Sequence, residues 1–527
     1  MLRVAKLIRS VLPVSPEGSS RCSFLSSGLR SPSFTMRFGT ILFAIATATI
    51  AYAAPHLQSK PSALDVIAAP SDLNVTAEIE KRTGQGGYIA LVNGGSYTWN
   101  LGGTSKYQMN AWSWPSTIAP YSVSRVYIEF DTTIGRTKSD DAGEATYTLA
   151  GTSFAFQIQA RSKSGFNLQV VLTGMSTKNN AQGSTISLGW KHDGVVNWVL
   201  SGADNRFTSS RPPANWMEAN MGDIGGLTIR QLSVPGSHDA GMSRITGGTA
   251  FGRDCNSLTQ TANIAGQLAA GSRYFDVRPV ITGGLFSTGH YTGDASVLDT
   301  FQGANGQPIS EIISQVNAFT ASNKELVVIN LSHSLNTDVG TSNYRSFNQD
   351  EWNRVLTQLM GLNNLLVASS LPSGFNATSG DLSALKLNQL IGGRAAVVLV
   401  VENGADLSSW FGKGVFSYGQ YGGVYNSYSD SNNKDTVRND QIDKLVNQHG
   451  TLHLVSWTST QDSTQAVLCS KSILDLASDV NPLLYTDLIN AVSPTRNIVP
   501  NILYVDAMSN ADIVGVAMAY NWWQAHH

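Results

Sequence analysis

"LSVPGSHDAGMS", Leu232 to Ser243, is the stretch on which the fold turns. An apolar run ends in Pro235-Gly236, and Ser237-His238-Asp239 follows where the chain must change direction. Pro and Gly are the strongest punctuators of local structure. Only 14% of the chain is charged, so an imidazole and a carboxylate side by side at such a corner call for an explanation.

The same pattern recurs downstream. From about residue 225, apolar strands alternate with helical stretches. "SRYFDVRPV", "KELVVINLSH", "GRAAVVLVVENG", "LHLVSWTS" and "NILYVDAM" read as buried strands. "SEIISQVNAFTASN" places Ile312, Ile313, Val316 and Phe319 on one helical face, and "ADIVGVAMAYNWWQA" predicts a closing helix. Such alternation over about 300 residues predicts a parallel α/β barrel or doubly wound sheet. The strands repeatedly finish in polar residues: His238 and Asp239, Asp276 and Arg278, Ser332 and His333, Glu402, and Asp506, with His290 following "GGLFSTG". Ionisable residues at successive strand ends mark the C-terminal mouth of an α/β barrel.

The residue types suggest one chemistry. Two histidines can act as general base and general acid near neutrality. A guanidinium matches phosphate oxygens with parallel donors and keeps its charge. Carboxylates beside histidines fix the tautomer and stabilise the imidazolium. That set can break a phosphodiester without a metal, and no cofactor is expected.

"LSVPGSHDAG", "QLAAGSRYFDVRPV" and the later "GH" together resemble the X domain of phosphatidylinositol-specific phospholipases C, and more closely its secreted fungal and bacterial-type relatives, over about 225–527. The resemblance implies a distorted, incompletely closed TIM barrel. It implies that His238 is the general base toward the inositol 2-hydroxyl and His290 the general acid toward the departing diacylglycerol oxygen. Arg278 would stabilise the phosphoryl oxygens, Asp506 would orient the base, and Asp239 and Asp276 would support the acid. Arg278 and Ser332 stand where calcium-dependent relatives carry acids, so a metal-independent mechanism is implied. Metal-independent bacterial relatives grip the inositol with a lysine near Ser332, an arginine near Glu402 and an aspartate near Asn426, whereas Tyr428 matches their ring-stacking aromatic. Tyr291 follows His290 where the family often has Gly. Phosphate chemistry is therefore expected intact and headgroup recognition altered at Ser332, Glu402, Asn426 and Tyr428. The expected partner is a phospholipid or a glycosylated inositol lipid at a membrane surface. A rival reading is a non-catalytic secreted lipid- or glycan-binding protein with a phospholipase C-like barrel.

The rest of the chain sets the context. Its 527 residues imply two to three domains, and 42% hydrophobic residues suffice for a large core. A net charge of −2 leaves no electrostatic footprint for nucleic acid, and a monomer is expected. Residues 1–53 read as a targeting region: a basic, Ser-rich start, then Met36, Arg37 and the apolar run "FGTILFAIATATIAYAA", with small residues at Ala51-Tyr52-Ala53. Residues 54–82 read as a pro-segment ending at Lys81-Arg82, which predicts a secreted chain starting near Thr83. Residues 83–210 hold short, partly alternating strands such as "YIALVNG", "SRVYIEFDTT" and "SFAFQIQA", predicting an all-β sandwich ahead of the barrel of 220–527. "SSRPPANWM" reads as a linker, and "YQMNAWSWPSTIAP" puts Tyr107, Trp112 and Trp114 in a loop-like context, open to an interface or a sandwich core. Cys255 and Cys469 remain after processing and are either one disulfide or two buried thiols. Of the sequons at Asn74, Asn330 and Asn376, Asn330 lies in an apolar strand and Asn376 is the expected acceptor.

Overall fold

Eight short strands carry the architecture, and the central ones are buried because both of their faces are covered. In the computed structural model they are β1 (Val234–Ser237), β2 (Tyr274–Val277), β3 (Leu326–Leu331), β4 (Ala396–Val401), β5 (Val415–Ser417), β6 (Tyr425–Asn426), β7 (His453–Trp457) and β8 (Ile502–Val505). The structure describes residues 84–133, 139–292, 301–340, 343–447 and 452–527. The targeting region, the pro-segment, the Thr83 start and Asn74 lie outside the described residues.

The strands pair in the order β5-β4-β3-β2-β1-β8-β7-β6, and every pairing is parallel. One core cluster collects Tyr274, Val328, Val398, Phe416, Leu454 and Ile502. A sheet whose one face converges on a single cluster from edge to edge is curled into a TIM-like barrel. Among the described residues no pairing joins β5 to β6, so the barrel is open there. The alternate residues face outward, where helices cover them in two further clusters.

Local sequence explains the helices. α1 (Ile264–Ala269) starts at Asn263, whose Oδ1 accepts from Gly266 N at 3.0 Å. α2 (Ile309–Ser322) buries Ile309, Ile312, Val316 and Thr320, close to the expected face. α3 (Gln349–Leu359) and α4 (Ile473–Leu483) open with reciprocal capping boxes, Asn348 with Glu351 and Ser472 with Asp475. α5 (Val514–His526) closes the chain and is apolar all round because protein covers both sides.

The N-terminal region supplies the second cover. A five-stranded and a six-stranded sheet share one core built from Ile128, Trp198, Trp99, Tyr147, Phe156 and Ile158, among others. The outer face of the first sheet, with Ala90, Val92 and Val199, joins Val516 and Ala519 of α5 in one cluster. Ser201 Oγ donates to Gly515 O at 2.8 Å, and a Cβ on Gly515 would lie 2.6 Å from Val199. The described residues from 84 to 527 accordingly form a single compact unit. One alternative left open by the sequence is decided, and one expectation needs correction. Trp112 is buried in the core, although Tyr107 is exposed. The stretch from Ser209 to Met217 is packed rather than a free linker, because Trp216 and Met217 enter the barrel core and Trp216 Nε1 donates to Gly271 O at 3.0 Å.

Candidate active site

Parallel strands in a barrel deliver all their C-terminal ends to one rim, so residues far apart in sequence meet there. His238 and Asp239 follow β1, Asp276 lies in β2 with Arg278 just beyond it, Ser332 follows β3, Glu402 follows β4 and Asp506 follows β8. His290 departs from this pattern. It lies within Leu285–Thr292, a strand of an antiparallel excursion after β2 that also holds Pro279–Thr282 and Gln302–Pro308. The excursion folds His290 back toward the rim, where its ring centroid is 6.3 Å from that of His238.

The hydrogen bonds define the states of both imidazoles. His238 Nδ1 lies 2.7 Å from Asp506 Oδ1, and Arg278 Nη2 lies 2.8 Å from His238 Nε2. Arginine can only donate. His238 Nε2 is therefore the acceptor, and the ring proton sits on Nδ1 against Asp506. His290 Nδ1 is 2.7 Å from Asp239 Oδ2, which also lies 3.5 Å from Arg278 Nη1. Asp239 and Asp506 are fully buried, whereas His238 and His290 remain partly open. Each histidine thus has a buried anchor and a reachable edge.

Asp276 ties the cluster together. Its Oδ2 accepts from Arg278 Nε at 3.1 Å, Tyr504 OH at 2.6 Å and Asp239 N at 3.1 Å, and its Oδ1 accepts from Ser332 Oγ at 2.5 Å. Burial opposes its ionisation, but the charges of Arg278, His238 and His333 and the Ser332 hydroxyl hold it well below the usual carboxylate range. Burial likewise pulls on Arg278, and the Asp276 and Asp239 carboxylates override it and raise its pKa. Asp239, at φ 37°, is left-handed, a costly conformation for a residue with a Cβ that tends to persist at functional sites.

The headgroup candidates divide. Ser332 is part of the cluster through Asp276. Glu402 Oε2 accepts from Asn330 Nδ2 at 3.3 Å, Asn330 stands opposite Asp276 in the β2–β3 register, and burial raises the Glu402 pKa. Asn426 is exposed on β6 beside the barrel opening, and Tyr428 is 60% exposed beyond it. Among the described residues, no hydrogen bond or ring contact joins either to the histidines. Cys255 and Cys469 form a disulfide between the loops after β1 and β7. Asn376 is exposed and Asn330 is buried.

A curated relative, PI-PLC X domain-containing protein 3 of Bos taurus, is 30% identical over 142 residues, covering 23% of this chain and 42% of the relative. Over that stretch the chain is similar to a PI-PLC X domain-containing protein. It thus spans less than half the length of the curated relative it matches. No protein-family model matches it. The phosphatidylinositol-specific phospholipase C of Listeria monocytogenes is a similar solved structure, at 17% identity and a TM-score of 0.40, covering 56% of this chain and 95% of that one. The Staphylococcus aureus phosphatidylinositol-specific phospholipase C gives 16% identity and a TM-score of 0.38, covering 57% and 98%.

Three residues of the candidate site lie outside the sequence-predicted set. Tyr504 and Asn330 each lie two residues before a rim residue, Asp506 and Ser332, so strand periodicity puts them on the same inner face. That spacing was the available signal. Gln260 had none, since it lies in irregular chain between β1 and α1.

Proposed function

We propose that this chain is a phosphodiesterase of the phospholipase C type that cleaves phosphatidylinositol or a related glycerophosphodiester through a cyclic phosphate. The observation that carries the reading is the pair of carboxylate-anchored imidazoles, 6.3 Å apart by ring centroids, with Arg278 reaching the Nε2 of His238. In this mechanism His238 Nε2 takes the proton of the hydroxyl adjacent to the phosphate. That oxygen bonds to phosphorus, the bond from phosphorus to the diacylglycerol oxygen breaks, and the leaving oxygen takes a proton from His290 Nε2. Water then reopens the ring with the two histidines exchanging roles. Asp506 and Asp239 offset the positive charge that each imidazole carries in turn.

Metal independence belongs to the proposal. Arg278 serves as the fixed cation on the phosphoryl oxygens, and both oxygens of Asp276 are already committed to other partners. Ser332 and Glu402 would face the headgroup, with Asn426 and Tyr428 at the barrel opening. A second reading, a binding protein for lipids or glycans, is favoured by the exposure of Asn426 and Tyr428 beside the barrel opening. We further propose a monomeric, extracellular protein. The Cys255–Cys469 disulfide supports export, because such bonds persist in oxidising compartments.

The test is incubation of the chain from Thr83, and of His238→Ala, with phosphatidylinositol vesicles and a chelator, followed by phosphorus NMR. Cyclic inositol phosphate from the parent, with turnover down roughly 100-fold or more in the variant, is expected. Equal turnover in both would defeat the assignment of the base. No product from the parent on phosphatidylinositol or on glycosylated inositol lipid would favour the binding protein.

A further inference from the structure

The His238–Asp506 pair joins two strand ends that are 268 residues apart in sequence. A hydrogen bond of 2.7 Å between side chains on separate strands needs those strand ends held at fixed height. Backbone pairing alone does not supply this, since the β1–β8 ladder stops at Ser237 and Val505, just short of both residues. Beyond it, one bond continues the register, His238 N to Val505 O at 3.1 Å.

Asn481 Nδ2 donates to Asp506 O at 2.9 Å, and Gln260 ties the two strand ends to each other. It lies between β1 and α1, is 1% exposed, and its amide bonds to backbone groups. Its Nε2 donates to His238 O at 2.8 Å and to Val505 O at 3.2 Å, while its Oε1 accepts from Met508 N at 3.0 Å. One amide therefore spans the backbone on both sides of the pair. Its neighbour Thr259, fully buried, reinforces the arrangement: its Oγ1 donates to Asp239 O at 2.9 Å and its carbonyl accepts from Ala507 N at 2.8 Å. Asp239 and Ala507 both have left-handed backbone, at φ 37° and 51°. These two conformations need outside support to persist, and the Thr259–Gln260 dipeptide bonds to both. Met242 O accepts from the backbone N–H of Thr259 and of Gln260, each at 3.1 Å, which anchors the dipeptide itself.

We propose that Gln260 is a positioning residue that holds the base and its orienting carboxylate in register, acting through backbone rather than through substrate. The proposal rests on the functional reading above for its kinetic consequence, but not for its structural one. A primary amide is suited to the place because it offers donors and an acceptor on opposite edges of one plane. Methionine matches its length and offers neither. Glutamate keeps the acceptor, and in its protonated form it retains one donor toward His238 O.

Two readouts test this, with the full chain and its Gln260→Met and Gln260→Glu variants. The first is the imidazole NMR spectrum of protein labelled at histidine. The His238 Nδ1 proton, assigned by its loss in His238→Ala, is expected downfield and protected from exchange in the parent. In Gln260→Met it is expected to broaden or vanish while the His290 resonance persists. The second is turnover of phosphatidylinositol vesicles. In Gln260→Met, kcat is expected to fall roughly 10- to 100-fold with KM changed less than about twofold, as loss of base alignment predicts. Gln260→Glu is expected to recover part of kcat, and to recover more at lower pH as its carboxyl gains a proton. A Gln260→Met protein with lowered Tm but an unchanged His238 resonance and unchanged kcat would make the role merely structural and overturn the proposal. If Gln260→Met does not fold, the pH-dependent recovery in Gln260→Glu decides, and a flat profile overturns it. If the parent turns over no substrate, the functional reading fails while the resonance still decides the positioning role.

Discussion

The two ends of the barrel each bury an arginine against a carboxylate, and they use it differently. At the N-terminal end, Arg273 precedes β2 and Glu325 precedes β3. Arg273 donates to Glu325 Oε2 through Nε at 2.8 Å and Nη2 at 2.7 Å, and to the carbonyls of Leu268, Ser272 and Ala214. Glu325 also accepts from the backbone of Met217 and Glu218. Both residues are buried, and their bonds all end within the protein. At the C-terminal end, Arg278 is also tied to carboxylates, but it reaches a histidine whose edge is open, and a second open histidine stands beside it. A buried ion pair with every bond satisfied internally fastens the fold. One whose bonds end on reachable nitrogens can exchange a proton.

That contrast can be broken by substitution. Glu325→Ala strands the Arg273 charge inside the base, and a stability loss of about 3–5 kcal/mol is expected from urea unfolding. A loss below about 1 kcal/mol would mean that the base is not fastened through this pair. The next effect is acid-linked. His453, at the start of β7, is 2% exposed with neither ring nitrogen bonded, and burial, then the Lys444 charge, lowers its pKa to about 4. A histidine whose folded pKa lies below its unfolded value binds its proton mainly when unfolded. Stability therefore falls as pH drops from the ordinary histidine value of about 6.5 toward 4, by roughly 3 kcal/mol. His453→Leu is expected to flatten that slope in unfolding curves measured between pH 7 and 4. An unchanged slope would place the acid sensitivity elsewhere.

At the rim, the effects should appear in activity instead. Arg278→Lys keeps a positive charge but loses the fork that reaches Asp276, Asp239 and His238 together. We expect kcat/KM for phosphatidylinositol to drop about 100-fold with stability changed by less than about 1 kcal/mol. Equal losses of both would erase the distinction between the two ends. The smallest effect is at Glu402. Burial raises its pKa, so its carboxyl favours the folded state below its unfolded pKa, and that contribution is lost as pH rises through the folded value. Glu402→Gln is expected to gain up to about 1 kcal/mol at pH 7 and nothing at pH 4, by thermal unfolding at each pH.

Much of the site could be read from strand endings. His238, Asp276, Arg278, Ser332, Glu402 and Asp506 were visible because a parallel barrel brings the end of every strand to one side, and a polar residue closing an apolar run is a local signal. Asp239 was visible as the neighbour of His238. His290 was found by its resemblance to a motif, since its strand lies outside the barrel sheet and nothing local assigns it to the rim. Asn426 and Tyr428 also rest on resemblance, and both are exposed beside the barrel opening.

The sequence by itself determined the alternation of strand and helix, the polar strand ends, and hence a mixed α/β chain with its chemistry at one mouth. These are short-range facts, set by apolar periodicity and by the residues that interrupt it. Only the tertiary structure decided which nitrogen of each histidine is anchored and that the barrel opens between β5 and β6. It alone joined Cys255 to Cys469, packed α5 between barrel and N-terminal sheet, and placed Gln260 between two strand ends. Each of these depends on contacts between residues tens to hundreds of positions apart. Such contacts form only once the chain has closed, so periodicity along the sequence carries no trace of them.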